Sequence, residues 1–526
     1  MSKKITSVLS LLLAMCLLLC ACSGEAGNES TGSTDATQTT TPYVSHAVTV
    51  GSHELDSTTF NYFYTDAIGY FYEVYYDYFG SYASLYIQMY TGMSPSTALG
   101  EQIYDEETGK TWADYFVEEA LDNAKWTYAM CDLAKAQGYT MPADRQASLD
   151  TLIEDMEKTA TYYGYDGFLG YLQELYGADA TVESFIAYYT DTIYSACFSN
   201  EYYASLTYTD QDYRDYEAGR FRDFSSYSYA ACYLNVEEYL TWAGAGTTVT
   251  NADGTTTTYT DAEKEAAVQA ALQDAKLLAG CSSLEELNAA LAGLAIYRDA
   301  ENAPEASVIE DMLLSEISYE AAVQWLDQED RQLGDITWLE EETDGEVSGY
   351  YVLLLLDYND NTMHLANVRH VLIAFEGGVT NNITGEVTYS DAEKAAARQE
   401  AEILLNDWLT GDRSDASFAE MADKQSDDSP EGGLYENITP DTNFVENFLN
   451  WCFEGHEAGD TGIIETEYGY HIMYYKGDSE LTYRDYLIGL ELADADYAAW
   501  ETQVQEDVTV TAVDLSAVDT TKTVLG

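Results

Sequence analysis

Two histidines lie inside short apolar runs of β type in the last third of the chain. These are Val368-Arg369-His370-Val371-Leu372-Ile373 and Tyr468-Gly469-Tyr470-His471-Ile472-Met473, and the stretch between them carries Ser426-Asp427-Asp428 and an aromatic pair. The chain has six histidines, at 46, 53, 364, 370, 456 and 471, so this placement is selective. Two imidazoles and a carboxylate can build a hydrogen-bonded cluster whose members fix one another's charge and orientation. Side-chain alternation puts His370 with Val368 and Leu372, and His471 with Met473, each set on one strand face, so the rings can meet inside a sheet. Either histidine alone is better read as a satisfied core residue; the combination points to a site.

The elements that must position these residues belong to a repeat. Thr258-Tyr259-Thr260-Asp261-Ala262-Glu263-Lys264 returns as Thr388-Tyr389-Ser390-Asp391-Ala392-Glu393-Lys394. Each stretch has a hydroxyl residue three before a glutamate, the spacing of a capping box, and each opens an alanine-rich helix. Downstream, Trp325, Gly334-Asp335 and Gly349-Tyr350-Tyr351-Val352 match Trp451, Gly459-Asp460 and Gly469-Tyr470-His471-Ile472. Two homologous units are expected, at 221–363 and 364–478. In each the order is strand, long loop, capped helix, shorter helices and closing strand, which reads as helices over a small, mostly antiparallel sheet. In the second, Ala397, Ala401, Leu404, Leu405 and Trp408 form one helical stripe able to cover that sheet.

Residues 43–220 read as a helical, aromatic-rich domain with apolar positions at three and four spacing. Gly80, Gly138 and Gly164 mark helix ends, and Asp144 is a candidate helix cap. The chain's 47 tyrosines suit either an ordinary core or a surface that holds unfolded peptide, a chaperone-like role. Residues 479–526 read as a further helix, Tyr483 to Val504, and the strand-like Val508 to Val513, expected to fold back on the helical domain.

Residues 1–22 carry Lys3 and Lys4, an apolar run from Val8 to Leu19 and Leu19-Cys20-Ala21-Cys22. This is an export signal too short to span a membrane as a helix. Its end resembles a lipobox, which makes Cys22 the expected lipidation site. Residues 23–42, poor in large apolar residues, are a flexible tether. The formal net charge of −71 makes nucleic acid or an anionic lipid surface an unsuitable direct partner and is better tolerated by basic, unfolded clients; its plainest reading is a solvated acidic coat. Of eight cysteines, Cys131, Cys197, Cys232, Cys281 and Cys452 lie beyond Cys22. Their odd number and wide spacing suit buried free thiols rather than a disulfide framework or a zinc site. No metal or cofactor is expected.

The second unit, residues 364–478, resembles the parvulin, or PpiC-type, peptidyl-prolyl isomerases. The resemblance rests on the Arg369-His370 strand, Ser417-Phe418-Ala419-Glu420-Met421-Ala422, the Ser426 to Gly433 segment and Tyr468-Gly469-Tyr470-His471-Ile472, in the family's order. The whole layout resembles the PrsA-type extracytoplasmic foldases and the related SurA chaperones. The resemblance implies catalytic roles for His370, His471 and Asp428, a Thr466 that bonds to one histidine, and a proline pocket at Phe444 and Phe448. Leu372 and Met473 join the substrate-binding positions. Two departures stand out: the family's Gly-Gly-Asp-Leu-Gly is Gly432-Gly433-Leu434-Tyr435-Glu436 here, and Phe444 stands where methionine is common. The loop Glu376 to Glu386 has no lysine or arginine, so phosphate recognition is not expected. The first unit has no histidine between His53 and His364, and Tyr351 takes the place of the closing one. It is expected to be catalytically silent, either binding clients or spacing domains.

The reading is an α+β multidomain foldase that isomerises X-Pro bonds in exported, partly folded proteins while holding them. It would be lipid-anchored at Cys22 on the outer face of a bacterial cytoplasmic membrane, facing the cell wall. Alternatives are an isomerase-inactive holdase whose parvulin-like units only bind peptide and, less favoured, a solute-binding lipoprotein.

Overall fold

Asp56 starts the first long helix by accepting a hydrogen bond from the Thr59 amide at 2.8 Å, satisfying one of the donors a helix start leaves open. The computed structural model describes residues 42–244, 249–250, 256–257, 259–298, 304–328, 330–380, 386–428 and 430–525. The expected export signal, Cys22, nearly all of the tether and the middle of the loop Glu376 to Glu386 lie outside the described residues. Two units emerge, Met1–Thr207 with Leu490–Gly526, and Tyr208–Gly489.

In the first unit, strands β1 (Val48–Val50) and β2 (His53–Leu55) are followed by helices α1 (Ser57–Phe79), α2 (Ala83–Thr91), α3 (Trp112–Gln137), α4 (Ala143–Tyr162), α5 (Gly167–Tyr176) and α6 (Val182–Ser205). The C-terminal strand Val510–Ala512 pairs antiparallel with β1, Val48 opposite Ala512, and completes a three-stranded sheet. Many tyrosines here are core residues. Tyr62 is fully buried and packs on Tyr176, Tyr188 and Phe185 with ring centroids 4.9, 5.1 and 5.5 Å away. The Tyr176 and Tyr188 hydroxyls both donate to Asp66, at 2.8 and 2.7 Å, and burial pushes that carboxyl up to about 6. Others, such as Tyr78, Tyr82 and Tyr90, are exposed. Asp144 is not the cap of α4: Pro142 occupies that position and Asp144 lies in the first turn, where a carboxylate still faces the positive end of the helix.

The second unit contains the repeat. Its first copy has β3 (Ser226–Asn235), α7 (Asp261–Leu278), α8 (Leu284–Ala292), β4 (Ser307–Leu313), α9 (Glu320–Leu326), β5 (Ile336–Thr343) and β6 (Glu346–Asn359). The second has β7 (His364–Ala374), α10 (Asp391–Thr410), α11 (Asp415–Gln425), β8 (Leu434–Ile438), α12 (Glu446–Cys452), β9 (Thr461–Glu465) and β10 (Gly469–Thr482). The sheets have the same strand order, β4-β3-β6-β5 and β8-β7-β10-β9, and every pairing is antiparallel. Both alanine-rich helices start with complete capping boxes, Thr260 with Glu263 and Ser390 with Glu393.

Each four-stranded sheet in this unit buries both faces. In the second copy Val371, Ile373, Tyr470, Ile472 and Tyr474 meet Ala397, Ala401 and Trp408 of α10 and Phe418 and Ala422 of α11. The other face packs Ala366, Val368, Met473 and Tyr475 against Phe448, Trp451 and Cys452 of α12. Strict alternation along β7 and β10 therefore sends the residues flanking the two histidines to the thick helical layer. The histidines face the thin layer beside α12.

Candidate active site

The two histidine strands are direct neighbours: His370 lies opposite Met473 and Leu372 opposite His471. On one face of this antiparallel pair the rings become diagonal neighbours, within reach of each other. His370 Nδ1 is 3.0 Å from His471 Nδ1, and the rings stack with centroids 5.2 Å apart. His471 Nε2 is 2.9 Å from Thr466 Oγ1. Thr466 is set by the turn before β10, where its amide donates to Gly469 O at 2.9 Å and its hydroxyl accepts from the Tyr468 amide at 3.3 Å.

Asp428 reaches the pair from the segment leaving α11. Ser426 Oγ accepts from the Leu372 amide at 3.0 Å and the Asp428 amide at 3.1 Å, while the Asp427 amide donates to Leu372 O at 2.9 Å. Asp427 Oδ2 accepts from the Ala374 amide at 2.9 Å. These bonds fasten the segment along β7 beyond its last pairing with β8, Arg369 opposite Leu434. Asp428 Oδ2 then lies 3.0 Å from His370 Nε2, without the alignment of a regular hydrogen bond, and accepts from Tyr435 OH at 3.2 Å.

The Gly432-Gly433 turn brings Tyr435 close. Both glycines have positive φ, +59° and +62°, and a Cβ on Gly433 would run into His370 O. Arg369 clamps the turn. Its guanidinium grips Asp415 through Nε and Nη2 at 2.7 and 3.0 Å and donates from Nη1 to Gly432 O at 2.8 Å.

Aromatic rings wall the cluster. Phe448 stands edge-on to both histidines, 5.2 Å from His370 and 5.4 Å from His471. Phe444 lies 4.9 Å from Phe448 and 4.9 Å from Tyr435, which stacks on His370 at 5.3 Å. His370 is 1% exposed and His471 5%, whereas the Asp428 side chain keeps 31% of its surface open. The open side is thus formed by Asp428, Tyr435, Phe444 and Leu372, while Met473 is fully buried beneath it.

Burial depresses both imidazoles. Desolvation holds His370 below its ordinary value against the pull of Asp428, and desolvation with the neighbouring ring takes His471 down to about 4. Both are therefore neutral at pH 7, which fixes their tautomers. A carboxylate only accepts, so His370 turns its Nε2–H toward Asp428 and accepts at Nδ1 from His471 Nδ1–H. His471 Nε2 then accepts from the Thr466 hydroxyl. The result is a row of neutral donors and acceptors ending on one anion, with no mobile proton.

The structure thus gathers His370, Asp428, His471, Thr466, Phe444 and Phe448 in one place, with Leu372 at its rim. Tyr435, Ser426 and Arg369 also belong to it. Arg369 and Ser426 stood within the motifs read from sequence. Tyr435 carried no signal of its own, because only the double-glycine turn brings it onto His370.

Residues 351–476 match the family model described as the PPIC-type PPIASE domain. The second copy is a PPIC-type peptidyl-prolyl isomerase domain. The match begins in the closing strand of the first copy and runs through β7 to the middle of β10, so this PPIC-type domain, of the parvulin class of peptidyl-prolyl cis/trans isomerases, contains every site residue above. Comparison with curated proteins finds no match. Among solved structures, a peptidylprolyl isomerase (PrsA) from Bacillus cereus is 21% identical, with 31% of this chain and 57% of that chain covered and a TM-score of 0.17. The chain therefore spans less than two thirds of that protein. In the first copy, register places Ala231 and Tyr351 where the PPIC-type domain has His370 and His471.

Proposed function

We propose that this protein is an extracytoplasmic foldase that catalyses cis/trans isomerisation of X-Pro bonds in exported chains while holding them. The observation that carries the reading is the neutral, mutually bonded His370–His471 pair beside Asp428, walled by Phe444 and Phe448. The barrier to be lowered, about 18–20 kcal/mol, comes from amide resonance that places negative charge on the carbonyl oxygen. No bond breaks and no proton need move. A catalyst must favour the twisted amide, whose oxygen has lost charge and whose nitrogen has regained its lone pair.

The pocket suits that task. An apolar wall of Phe444 and Leu372, backed by the buried Phe448, takes the proline ring and excludes water, which disfavours the polar planar amide. Asp428, open on the same side, places negative charge near the carbonyl oxygen and opposes its resonance charge. The histidine pair keeps the carboxylate in place without neutralising it.

Client holding, lipidation at Cys22 and a location on the outer face of the cytoplasmic membrane belong to the same proposal. They are supported by the composition of residues 1–42 and by the chain's strong acidity. Among the described residues no helix is long and apolar enough to cross a membrane. The test is magnetisation-transfer NMR of cis/trans exchange in an Ala-Pro peptide with the full chain. Acceleration that disappears in His370→Ala and Asp428→Asn supports the proposal. No acceleration by a folded protein, with client aggregation still suppressed, would leave a holdase.

A further inference from the structure

The first copy keeps the sheet and loses the chemistry, but its corresponding face is not simply filled. Where the second copy has His471, Tyr351 stands on β6, opposite Tyr233 of β3. The ring of Tyr351 lies 4.6 Å from Tyr233 and 4.8 Å from Tyr319, which precedes α9. All three rings are half-buried, so each offers part of its surface. Tyr233 is held over Gly349, where a Cβ would collide with its ring. Tyr319 is fixed by its hydroxyl, which donates to Glu340 O at 2.9 Å.

A recess of about 330 Å³ opens beside this cluster, lined by Tyr319, Glu320, Gln324 and the strand residues 340–342. Its lining includes Glu320, Glu340, Glu341 and Glu342 and, among the described residues, no basic one; the Glu340 carboxylate accepts from Tyr350 OH at 3.1 Å on the other sheet face. Glu341 lies opposite Gly349, so alternation puts its side chain on the face that carries Tyr351. Its Oε2 is buried without a hydrogen-bond partner among the described residues, which is costly for a carboxylate that no cation or donor completes.

We infer that the tyrosine cluster and acidic recess of the first copy form a binding site for a lysine or arginine side chain of an extended client segment. Aromatic faces attract a cation through their quadrupole, and a partly desolvated carboxylate supplies the opposing charge. The volume fits one long cationic side chain with some adjoining backbone and excludes a globular partner. The inference extends client holding and is independent of the isomerase reading, because the residues lie on a different sheet from His370.

The test measures binding of a proline-free alanine-based peptide with one lysine to the full chain by ¹⁵N chemical-shift titration, against the same peptide with acetyl-lysine. The lysine peptide is expected to bind at least fivefold more tightly and to shift residues around Tyr351 and Glu341. Glu341→Gln and Tyr351→Leu, each checked for unchanged thermal unfolding, should weaken it by at least the same factor. His370→Ala should leave it intact while removing isomerase turnover, which separates failure of this inference from failure of the isomerase proposal. Equal affinity for both peptides overturns the inference, as does a lysine peptide whose binding neither variant changes.

Discussion

Acid is the most discriminating perturbation of the paired histidines. His471 has an ordinary value of 6.5 and is held near 4 by burial and by the ring of His370. At pH 5.5 a group near 4 is about 3% protonated, whereas one at 6.5 is about 90% protonated. The sign follows from linkage: between 6.5 and 4 the unfolded chain binds a proton at this residue that the folded chain refuses, so stability falls as pH falls. The contribution of His471 is whole above 6.5 and is gone below about 4. At about 1.4 kcal/mol per pKa unit its full size is about 3–4 kcal/mol, an upper figure for one residue. His370 is lowered for the same first cause and adds in the same direction. The assay is a ¹³C–¹H NMR titration of the imidazoles of the full chain, with His471 assigned by its absence from His471→Gln, run alongside prolyl exchange from pH 8 to pH 4. The His471 signal should stay at its neutral position at pH 5.5, and turnover should stay flat to about pH 5 before falling. A ring midpoint near 6.5 would falsify the tautomer assignment and the water-poor site on which it rests.

Other expectations concern parts of the same site. Asp428→Asn keeps the shape of the side chain but removes the charge 3.0 Å from His370, so turnover should fall at least about tenfold with little change in unfolding midpoint. Phe448→Ala opens a cavity under both histidines and should cost about 3–5 kcal/mol in urea unfolding, whereas Phe444→Ala, at the half-buried rim, should chiefly raise KM. Gly433→Ala places a methyl group against His370 O at a positive φ, and should cost about 2–4 kcal/mol and shift the His370 ring signals. Thr466→Val removes the donor to His471 Nε2 from a buried site and should destabilise by about 1–3 kcal/mol while leaving Asp428 and the proline wall in place.

The legible part of this structure is what period and spacing encode. The capping boxes at Thr260 and Ser390, the stripe Ala397, Ala401 and Trp408, and the placing of each histidine on one face of its strand follow from local rules that operate within a few residues. The spatial order of strands is set by long-range pairing. Nothing local to Val510 states that it pairs with Val50 across most of the chain. Asp144 misleads because a carboxylate near a helix start is favourable both at the cap and inside the first turn, and Pro142 takes the cap. Tyr435 was not legible as a site residue, since its approach to His370 depends on two consecutive left-handed glycines and on the hold Arg369 has on that turn.

The two copies set the histidine site beside the same scaffold without its histidines. Strand order, register and the capped helix are the same in both, so the copies differ in their side chains and not in their sheet. At the two decisive positions the second copy has His370 and His471 and the first has Ala231 and Tyr351. A reaction that moved protons would call for histidines poised near neutral pH and open to water. Here they are buried and kept neutral, and the exposed member of the row is Asp428. That arrangement suits bond rotation, where the useful contributions are a fixed negative charge and a dry wall. Alanine and tyrosine at these positions offer no such support for a charge and leave an aromatic surface, which under the inference drawn above serves binding on an unchanged sheet.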